Sequence, residues 1–184
     1  YSNAAVRCGL FDFQNGFFYE YDGSTLYAVR RSSVQQLSGT LTATKNENKL
    51  FGDSTRFSDQ LSVGDMIVIR GQSYKISYIA SQTEIHVQPK YRGSSQTGVV
   101  STKTIDTKVA QSNWNIDTAD GTGPSGFNLG IHNIQMAYFD YSWYGAGKIR
   151  FGFKDTTGRV RYCHEFIHNN RQNEAYMRSG NVPA

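Results

Sequence analysis

The stretch KIRFGFKDTTGRVRYCHEFIH, residues 148–168, decides the fold. Its first seven residues alternate strictly, with Ile149, Phe151 and Phe153 on one face and charged residues on the other. Alternation with a period of two predicts a half-buried strand. The segment Asp-Thr-Thr-Gly that follows, residues 155–158, predicts a turn in which the glycine can take a positive φ. The stretch as a whole predicts a β-hairpin.

The returning strand of this hairpin contains His164-Glu165-Phe166-Ile167-His168, a literal H-E-x-x-H motif. On a helix the two histidines would lie about 5–6 Å apart and could bind one zinc ion. On a strand they lie about 13 Å apart, too far for a shared metal. Val160 and Tyr162 lead into His164 and Phe166 with the same alternation, and no N-cap residue precedes them. We therefore predict a strand with two histidines on one face.

A zinc-dependent hydrolase stays as the less favoured alternative. Glu174 falls where a metzincin-like third ligand would lie, but Arg171 occupies the place of the glycine that such a turn uses. The sequence therefore assigns no catalytic, cofactor-binding or metal-binding residue, and we expect the protein not to be an enzyme.

Composition indicates an all-β protein. Hydrophobic residues make up only 38% of the 184 residues. Because this content is low, we expect the 12 Tyr and 11 Phe residues to supply much of the core. Aromatic residues, Thr and Val that alternate between glycine-rich turns are typical of strands. No apolar run is long enough to span a bilayer. The chain opens at Tyr1 without Met, which indicates a matured product or a segment of a longer polypeptide.

The net charge of +4 is mild. The densest basic cluster lies on the 148–168 hairpin and consists of Lys148, Arg150, Lys154, Arg159 and Arg161. A solvated strand face is the favoured interpretation over a nucleic-acid patch, and a contact between subunits would suit these charges as well.

The two cysteines, Cys8 and Cys163, lie far apart in the sequence. They could form one bridge in a secreted protein. We favour two free, half-buried thiols in a protein made in a reducing compartment.

Residues 16–30 predict a second hairpin, with Asp22-Gly23 at its tip as a two-residue turn of the primed type. Phe18 and Glu20 fall on one face, and Phe17, Tyr19 and Tyr21 fall on the other. Because both faces carry apolar groups, we expect this hairpin to be covered on both sides. Residues 6–13 predict an apolar strand before it.

Residues 37–97 are less aromatic and richer in Ser, Thr and Gln. This segment predicts strands of its own at 37–44, 65–70, 73–79 and 83–88. The aromatic pattern resumes after residue 97. The simplest organisation is a main domain of residues 1–36 and 98–184 with a small β module, 37–97, inserted into it; two domains in series are the alternative.

The second half of the main domain begins with a polar segment, 98–113, that predicts a long strand returning to the main sheet. The glycine-rich loop 120–126 matches neither phosphate-binding motif, so a structural turn is favoured. Asp117 and Asp120 could hold calcium with loop carbonyls, but two carboxylates without an EF-hand frame are a weak signal. A short final strand is predicted at 175–177.

The sequence also resembles a module in structural proteins of large double-stranded DNA viruses of algae and of large tailed phages. The resemblance is carried by residues 15–23, 26–32, 114–117, 120–126, 139–143, 150–153 and 162–166 with His168-Asn169. Residues 57–69 are similar to a small β module of many viral surface proteins. The resemblance implies no enzymatic activity, and it implies that His164, Glu165 and His168 are a structural signature.

These observations together predict a jelly-roll-like antiparallel β-sandwich that carries a small inserted β-barrel. The expected function is that of a virion structural protein, a penton (vertex) or minor capsid subunit. The expected partners are copies of itself in a cyclic oligomer and other capsid proteins, with no specific nucleic acid and no membrane span. A carbohydrate-binding adhesin with Trp143 or Tyr144 stacked on a host glycan is the alternative from another class.

Overall fold

The alternating patterns of the sequence form antiparallel strands, and the protein is all-β. The computed structural model describes residues 4–142, 145–171 and 175–177. The strands in this part of the chain are β1 (Val6–Phe11), β2 (Gly16–Tyr21), β3 (Leu26–Gln36), β4 (Thr40–Ala43), β5 (Lys49–Asp53), β6 (Met66–Ile69), β7 (Gln72–Ile79), β8 (Glu84–Gln88), β9 (Gln96–Val99), β10 (Ser101–Ala110), β11 (Ala137–Tyr141), β12 (Lys148–Lys154) and β13 (Val160–Ile167). A short helix α1 (Phe57–Gln60) and a 3₁₀ turn (Gln111–Asn113) complete the elements. The predicted fold class, an antiparallel β-sandwich, is confirmed.

The chain divides into two compact units, an arrangement in which one unit interrupts the other. The sandwich unit comprises Tyr1–Arg31 and Asp106–Ala184, and the inserted unit comprises Ser32–Ile105. The chain passes from one unit to the other within β3 and returns within β10. The predicted domain boundaries lie at 36/37 and 97/98, at the end of β3 and inside β9.

The sandwich unit has two sheets. One has the order β1-β2-β3-β10, and the other has the order β11-β12-β13. Alternate residues of β2 and β12 meet between them: Tyr19 stacks on Phe153 with ring centroids 4.5 Å apart, and Phe17 and Phe151 lie 6.4 Å apart at a T-shaped angle. Each fully buried aromatic side chain contributes roughly 1.5–3 kcal/mol of hydrophobic stabilisation. The aromatic alternation that predicts these strands therefore also supplies the core.

The other face of β2 is covered as well, as the sequence predicts. Phe18 is fully buried beneath the guanidinium groups of Arg7 and Arg31, which lie 5.5 and 5.1 Å from its ring centroid. Beside it Glu20, only 3% exposed, accepts a hydrogen bond from Arg7 Nε at 2.6 Å and pairs with Lys108. Burial acts to raise the pKa of Glu20, but the two cations outweigh it and the pKa is lowered.

The inserted unit wraps one sheet around its own core. Its strand order is β10-β6-β7-β8-β5-β4-β9, with all neighbours antiparallel. One face of each of these strands from β4 to β8 feeds a single apolar cluster, whose largest fully buried members are Tyr74, Tyr91, Phe57, Leu41, Leu50, Ile67, Ile69 and Ile76. Because β6, next to one end of this order, and β9, at the other end, contact the same cluster, the sheet must curl. The sequence predicts β6, β7 and β8 within one residue or two, and misses β5, β9 and α1.

Gly39 holds a close approach inside the inserted unit, and its replacement gives a test with a matched control. Gly39 has φ 70°, and a Cβ there would lie 2.2 Å from the carbonyl oxygen of Asp53. Gly98 has φ 71° and nothing within 4 Å of the same position. We expect Gly98→Ala to lower the free energy of unfolding by about 1 kcal/mol through the left-handed conformation alone. Gly39→Ala should cost about 1–2 kcal/mol more, because backbone must move.

Differential scanning calorimetry of both variants checks this comparison, since the backbone conformation is matched and only the contact differs. Equal losses of stability in Gly39→Ala and Gly98→Ala would contradict the close approach.

Three local predictions are wrong. The 16–30 hairpin turns through residues 22–25 rather than two residues, because the Asp22 carboxylate accepts the backbone N–H groups of Ser24 and Thr25. These hydrogen bonds lower the pKa of Asp22 to about 2.

Residues 175–177, for which the sequence predicts a short strand, form no strand. Tyr176 and Met177 instead bury their side chains in the sandwich core.

The third correction concerns β13, whose alternation is interrupted. The register shifts between Phe151, opposite His164, and Gly152, opposite Tyr162, so Cys163 is the extra residue of a bulge. Tyr162 therefore lies on the outer face, where the guanidinium of Arg150 covers its ring at 4.2 Å. His164 and Cys163 are both buried.

Candidate functional site

The histidine motif lies on a strand, as predicted. His164 and Glu165 belong to β13, which pairs residue by residue with β12, and His168 follows immediately after its end. An extended backbone separates positions 164 and 168 by about 13 Å. The two imidazoles therefore cannot bind one metal ion together. In the described part of the chain, no group of three or more His, Cys, Asp or Glu side chains gathers where a metal ion could be held.

His164 is a buried, neutral packing residue. It is 5% exposed, its ring lies 4.7 Å from that of Phe166 at a T-shaped angle, and its Nδ1 accepts the backbone N–H of Asn115 at 3.3 Å. Nε2 is buried without a hydrogen-bond partner. Burial lowers the pKa of His164 to about 4, against a smaller opposing effect of Glu165.

The other two members of the motif have separate surroundings. Glu165 pairs with Lys148 at 3.3 Å on the outer face. The backbone N–H of His168 donates to the carbonyl of Gly147 at 2.8 Å, and its ring packs against Tyr176 at 5.7 Å. Burial lowers the pKa of His168, and the positive charge of Arg30 lowers it further. The three side chains of the motif therefore lie in separate environments and do not form one shared site.

Neither cysteine is bridged. Cys8 is exposed on β1 and Cys163 is fully buried in the bulge. Burial raises the pKa of the Cys163 thiol to about 12, so it stays protonated at neutral pH.

The glycine-rich loop uses its carboxylates internally. Asp117 accepts the backbone N–H groups of Ala119 and Ser125 at 2.8 and 2.9 Å. Asp120 accepts the backbone N–H of Thr122 at 2.9 Å together with nearby hydroxyls, and these hydrogen bonds lower its pKa to about 2. Because the donors are already provided by the loop, the favoured reading of a structural turn suits this geometry better than a calcium site.

Ion pairs neutralise much of the basic cluster on the 148–168 hairpin. Arg150 pairs with Asp140, Arg161 lies 2.7 Å from Asp155, and Lys148 pairs with Glu165. This balance favours a solvated strand face over a nucleic-acid patch.

The two edges of the β11-β12-β13 sheet are treated differently. The edge of β13 is covered by the loop that follows the 3₁₀ turn. The Asn115 side chain exchanges two hydrogen bonds of 2.9 Å with the backbone of Glu165, and the N–H groups of Ile116 and Asp117 donate to the Cys163 carbonyl. A side-chain amide thus satisfies an edge that would otherwise offer itself for pairing.

The edge formed by β11 has no such cover among the described residues. Ile134, Met136 and Tyr138 are 102%, 58% and 40% exposed, and Ile131 is 37% exposed. We call these four residues and β11 the β11 edge. The inner face of β11 is anchored, since Phe139 and Tyr141 lie 5.6 and 4.7 Å from the ring of Phe17. The strand is therefore held firmly while its outer side presents apolar groups to solvent.

The edge strand of the facing sheet adds to this surface. β1 comes within contact distance of β11 across the sandwich. It carries the exposed side chain of Val6, and Phe13 follows at 69% exposed. Exposed apolar residues that gather on one surface mark interaction sites. The sequence predicts the strands here but does not predict that β11 lies at an edge.

Comparison with known protein families, curated proteins and solved structures finds no match to this chain. Helices in the described residues are all too short and too polar to cross a membrane. Trp143, Tyr144 and Glu174, which figure in the carbohydrate-binding and zinc alternatives, lie outside the described residues.

Proposed function

We propose that this chain is a structural protein of a virus particle, a vertex (penton) or minor capsid subunit, that acts through contacts with copies of itself and with other capsid proteins. The observation that carries the proposal is the β11 edge, which is anchored on its inner face, apolar, and left uncovered by the residues that the structure describes. The resemblance of short segments within residues 15–32 and 114–169 to virion modules supports the same role.

The physics of assembly favours such a role. Natural edge strands are usually protected by lysine, proline, bulges or a covering segment. Residues 131–141 include no Lys, Arg or Glu and a single Asp, Asp140, which is paired with Arg150. Covering an exposed Ile or Met side chain contributes roughly 1.5–3 kcal/mol. A ring of subunits joined head to tail would cover the edge of every copy, because each heterologous contact pairs the edge with a different surface of its neighbour.

The oligomeric state tests the proposal. We expect the purified chain to form a ring-like oligomer, and Met136→Lys to shift it toward monomer, because a charge buried without a partner opposes association. Sedimentation velocity across a range of concentrations measures the shift, and negative-stain microscopy shows whether rings form.

Val63→Lys is the matched control, since Val63 is 65% exposed and belongs to the inserted unit rather than to the β11 edge. It should leave the oligomer intact. A chain that stays monomeric at every concentration would overturn assembly through the β11 edge. Absence of the protein from purified particles of its source, measured by mass spectrometry, would overturn the virion role itself.

A further inference from the structure

A polar pocket lies in the sandwich unit where β12 begins and β13 ends. Its volume is about 610 Å³, within the range of about 300–1,000 Å³ typical of small-molecule sites. Three segments line it: the residue after β11, the start of β12, and the end of β13 with the turn beyond. The lining residues are Ser142, Gly147, Lys148, Ile167, Asn169, Asn170 and Arg171.

Backbone hydrogen bonds hold the segments that line this pocket in fixed positions. The carbonyl of Gly147 accepts the N–H groups of His168 and Asn169 at 2.8 and 3.1 Å, and Ser142 N–H donates to the carbonyl of Lys148 at 3.3 Å. Gly147 has φ 92°, and a Cβ there would lie 2.5 Å from the Ser142 hydroxyl. No other residue type fits that position without displacing Ser142.

The rim also holds a residue in an uncommon conformation. Asn170 has φ 55°, in the left-handed region that non-glycine residues rarely occupy. The turn is closed by a hydrogen bond from Arg171 N–H to the His168 carbonyl at 3.3 Å. Left-handed residues held by surrounding structure cluster at binding sites. Here the conformation presents two consecutive amide side chains, those of Asn169 and Asn170, at the pocket.

The charged residues that line the pocket are all positive. Lys148 and Arg171 are cationic, and none of the seven lining residues is acidic. The only carboxylate paired with either in the described structure is that of Glu165, 3.3 Å from Lys148 and outside the lining. Two amides and one hydroxyl supply both donors and acceptors. Such a set matches a ligand that carries an anionic group together with several hydroxyls.

We propose that this pocket binds a small hydroxyl-rich anion, a sugar acid or a sugar phosphate. Lys148 and Arg171 would bind the carboxylate or phosphate through charge-assisted hydrogen bonds. Asn169, Asn170 and Ser142 would bind the hydroxyl groups. This binding activity is separate from assembly through the β11 edge, and neither depends on the other.

Isothermal titration calorimetry on the full chain tests the proposal with five probes: glucuronate, glucose 6-phosphate, neutral glucose, acetate and inorganic phosphate. We expect at least one of the two sugar anions to bind more tightly than glucose and more tightly than the simple anion with the same charged group. If only glucuronate binds, the anionic group is a carboxylate; if only glucose 6-phosphate binds, it is a phosphate.

Variants locate the binding. Arg171→Gln and Lys148→Gln should each weaken the bound sugar anion about tenfold or more, the loss expected for a hydrogen bond to a charged group. Arg159→Gln removes an exposed cation at the opposite end of the same hairpin and should leave affinity unchanged. Equal binding of glucose, equal binding of acetate or phosphate, no binding of either sugar anion, or equal weakening by Arg159→Gln would each overturn the proposal.

Discussion

Phe151→Ala is expected to lower the free energy of unfolding of the sandwich unit by about 3–5 kcal/mol, the range for removing a buried aromatic ring. Phe151 is fully buried on β12. Its ring lies 5.4 Å from those of both Tyr19 and Phe139 and 5.8 Å from that of Phe166. These neighbours come from both sheets. The cavity left by alanine would therefore loosen the contact on which the sandwich depends.

Urea denaturation followed by tryptophan fluorescence measures this loss. Both tryptophans of the chain, Trp114 and Trp143, lie in the sequence of the sandwich unit, so the signal reports on that unit. Val6→Ala is the matched control, because Val6 is 65% exposed on the same unit. It should change stability by no more than about 0.5 kcal/mol. Similar midpoints for Phe151→Ala and wild type would mean that the two sheets do not meet at Phe151.

The part of the fold that the sequence predicts best is the part where alternation and chemistry coincide. β12 is predicted residue for residue, because its apolar side chains, Ile149, Phe151 and Phe153, stand at every second position between Lys148 and Lys154. The strand state of the histidine motif follows from the same hairpin. Short strands such as β9, with exposed polar residues, have no such contrast between faces, so nothing local distinguishes them from loops.

Other features depend on contacts that no local pattern encodes. The bulge at Cys163 arises from register against β12, whereas the alternation of the sequence places Tyr162 and His164 on one face. The burial of Tyr176 and Met177 in a segment without strand structure is set by the core they enter. A polar sequence around them gives no periodic signal.

The candidate site is the least predictable part for the same reason. Residues 134–141 show an alternating aromatic strand, but the order of strands in a sheet is a tertiary property. No local pattern in the sequence predicts that β11 and β13 are the two edges of one sheet, or that Asn115 covers the edge of β13. Asn115 itself gives no motif, although its amide replaces a missing strand by bonding to both backbone groups of Glu165.

Acidification from pH 6.5 to 4 is expected to reduce stability by an amount that depends on His164. In the unfolded chain His164 takes up a proton as the pH falls through about 6.5. In the folded protein burial holds its pKa at about 4. Between these values the unfolded state binds more protons, so stability rises with pH and is lost as the pH falls. The full loss for His164 alone is on the order of 3 kcal/mol.

Other groups with shifted pKa values also lower the stability of the protein as the pH falls. Burial and Arg30 lower the pKa of His168, so its contribution has the same sign. The carboxylates of Asp22 and Asp120 have pKa values of about 2, and their stabilisation is present above their unfolded values near 3.8 and lost below them. Acid lability between pH 6.5 and about 5 therefore comes from His164 and His168, and carboxylates with lowered pKa values, Glu20, Asp22 and Asp120 among them, add to it at lower pH.

His164→Gln isolates the histidine contribution, because glutamine does not titrate and can still accept a hydrogen bond. Urea unfolding at intervals from pH 7.5 to pH 4 should give a shallower decline of stability with falling pH than in wild type. A loss of packing in the variant lowers the free energy of unfolding equally at every pH, so it does not change the slope of stability against pH. His132→Gln, at an exposed loop position, is the control and should retain the wild-type slope. An unchanged slope in His164→Gln would mean that the imidazole is hydrated in the folded protein and that β13 does not bury it.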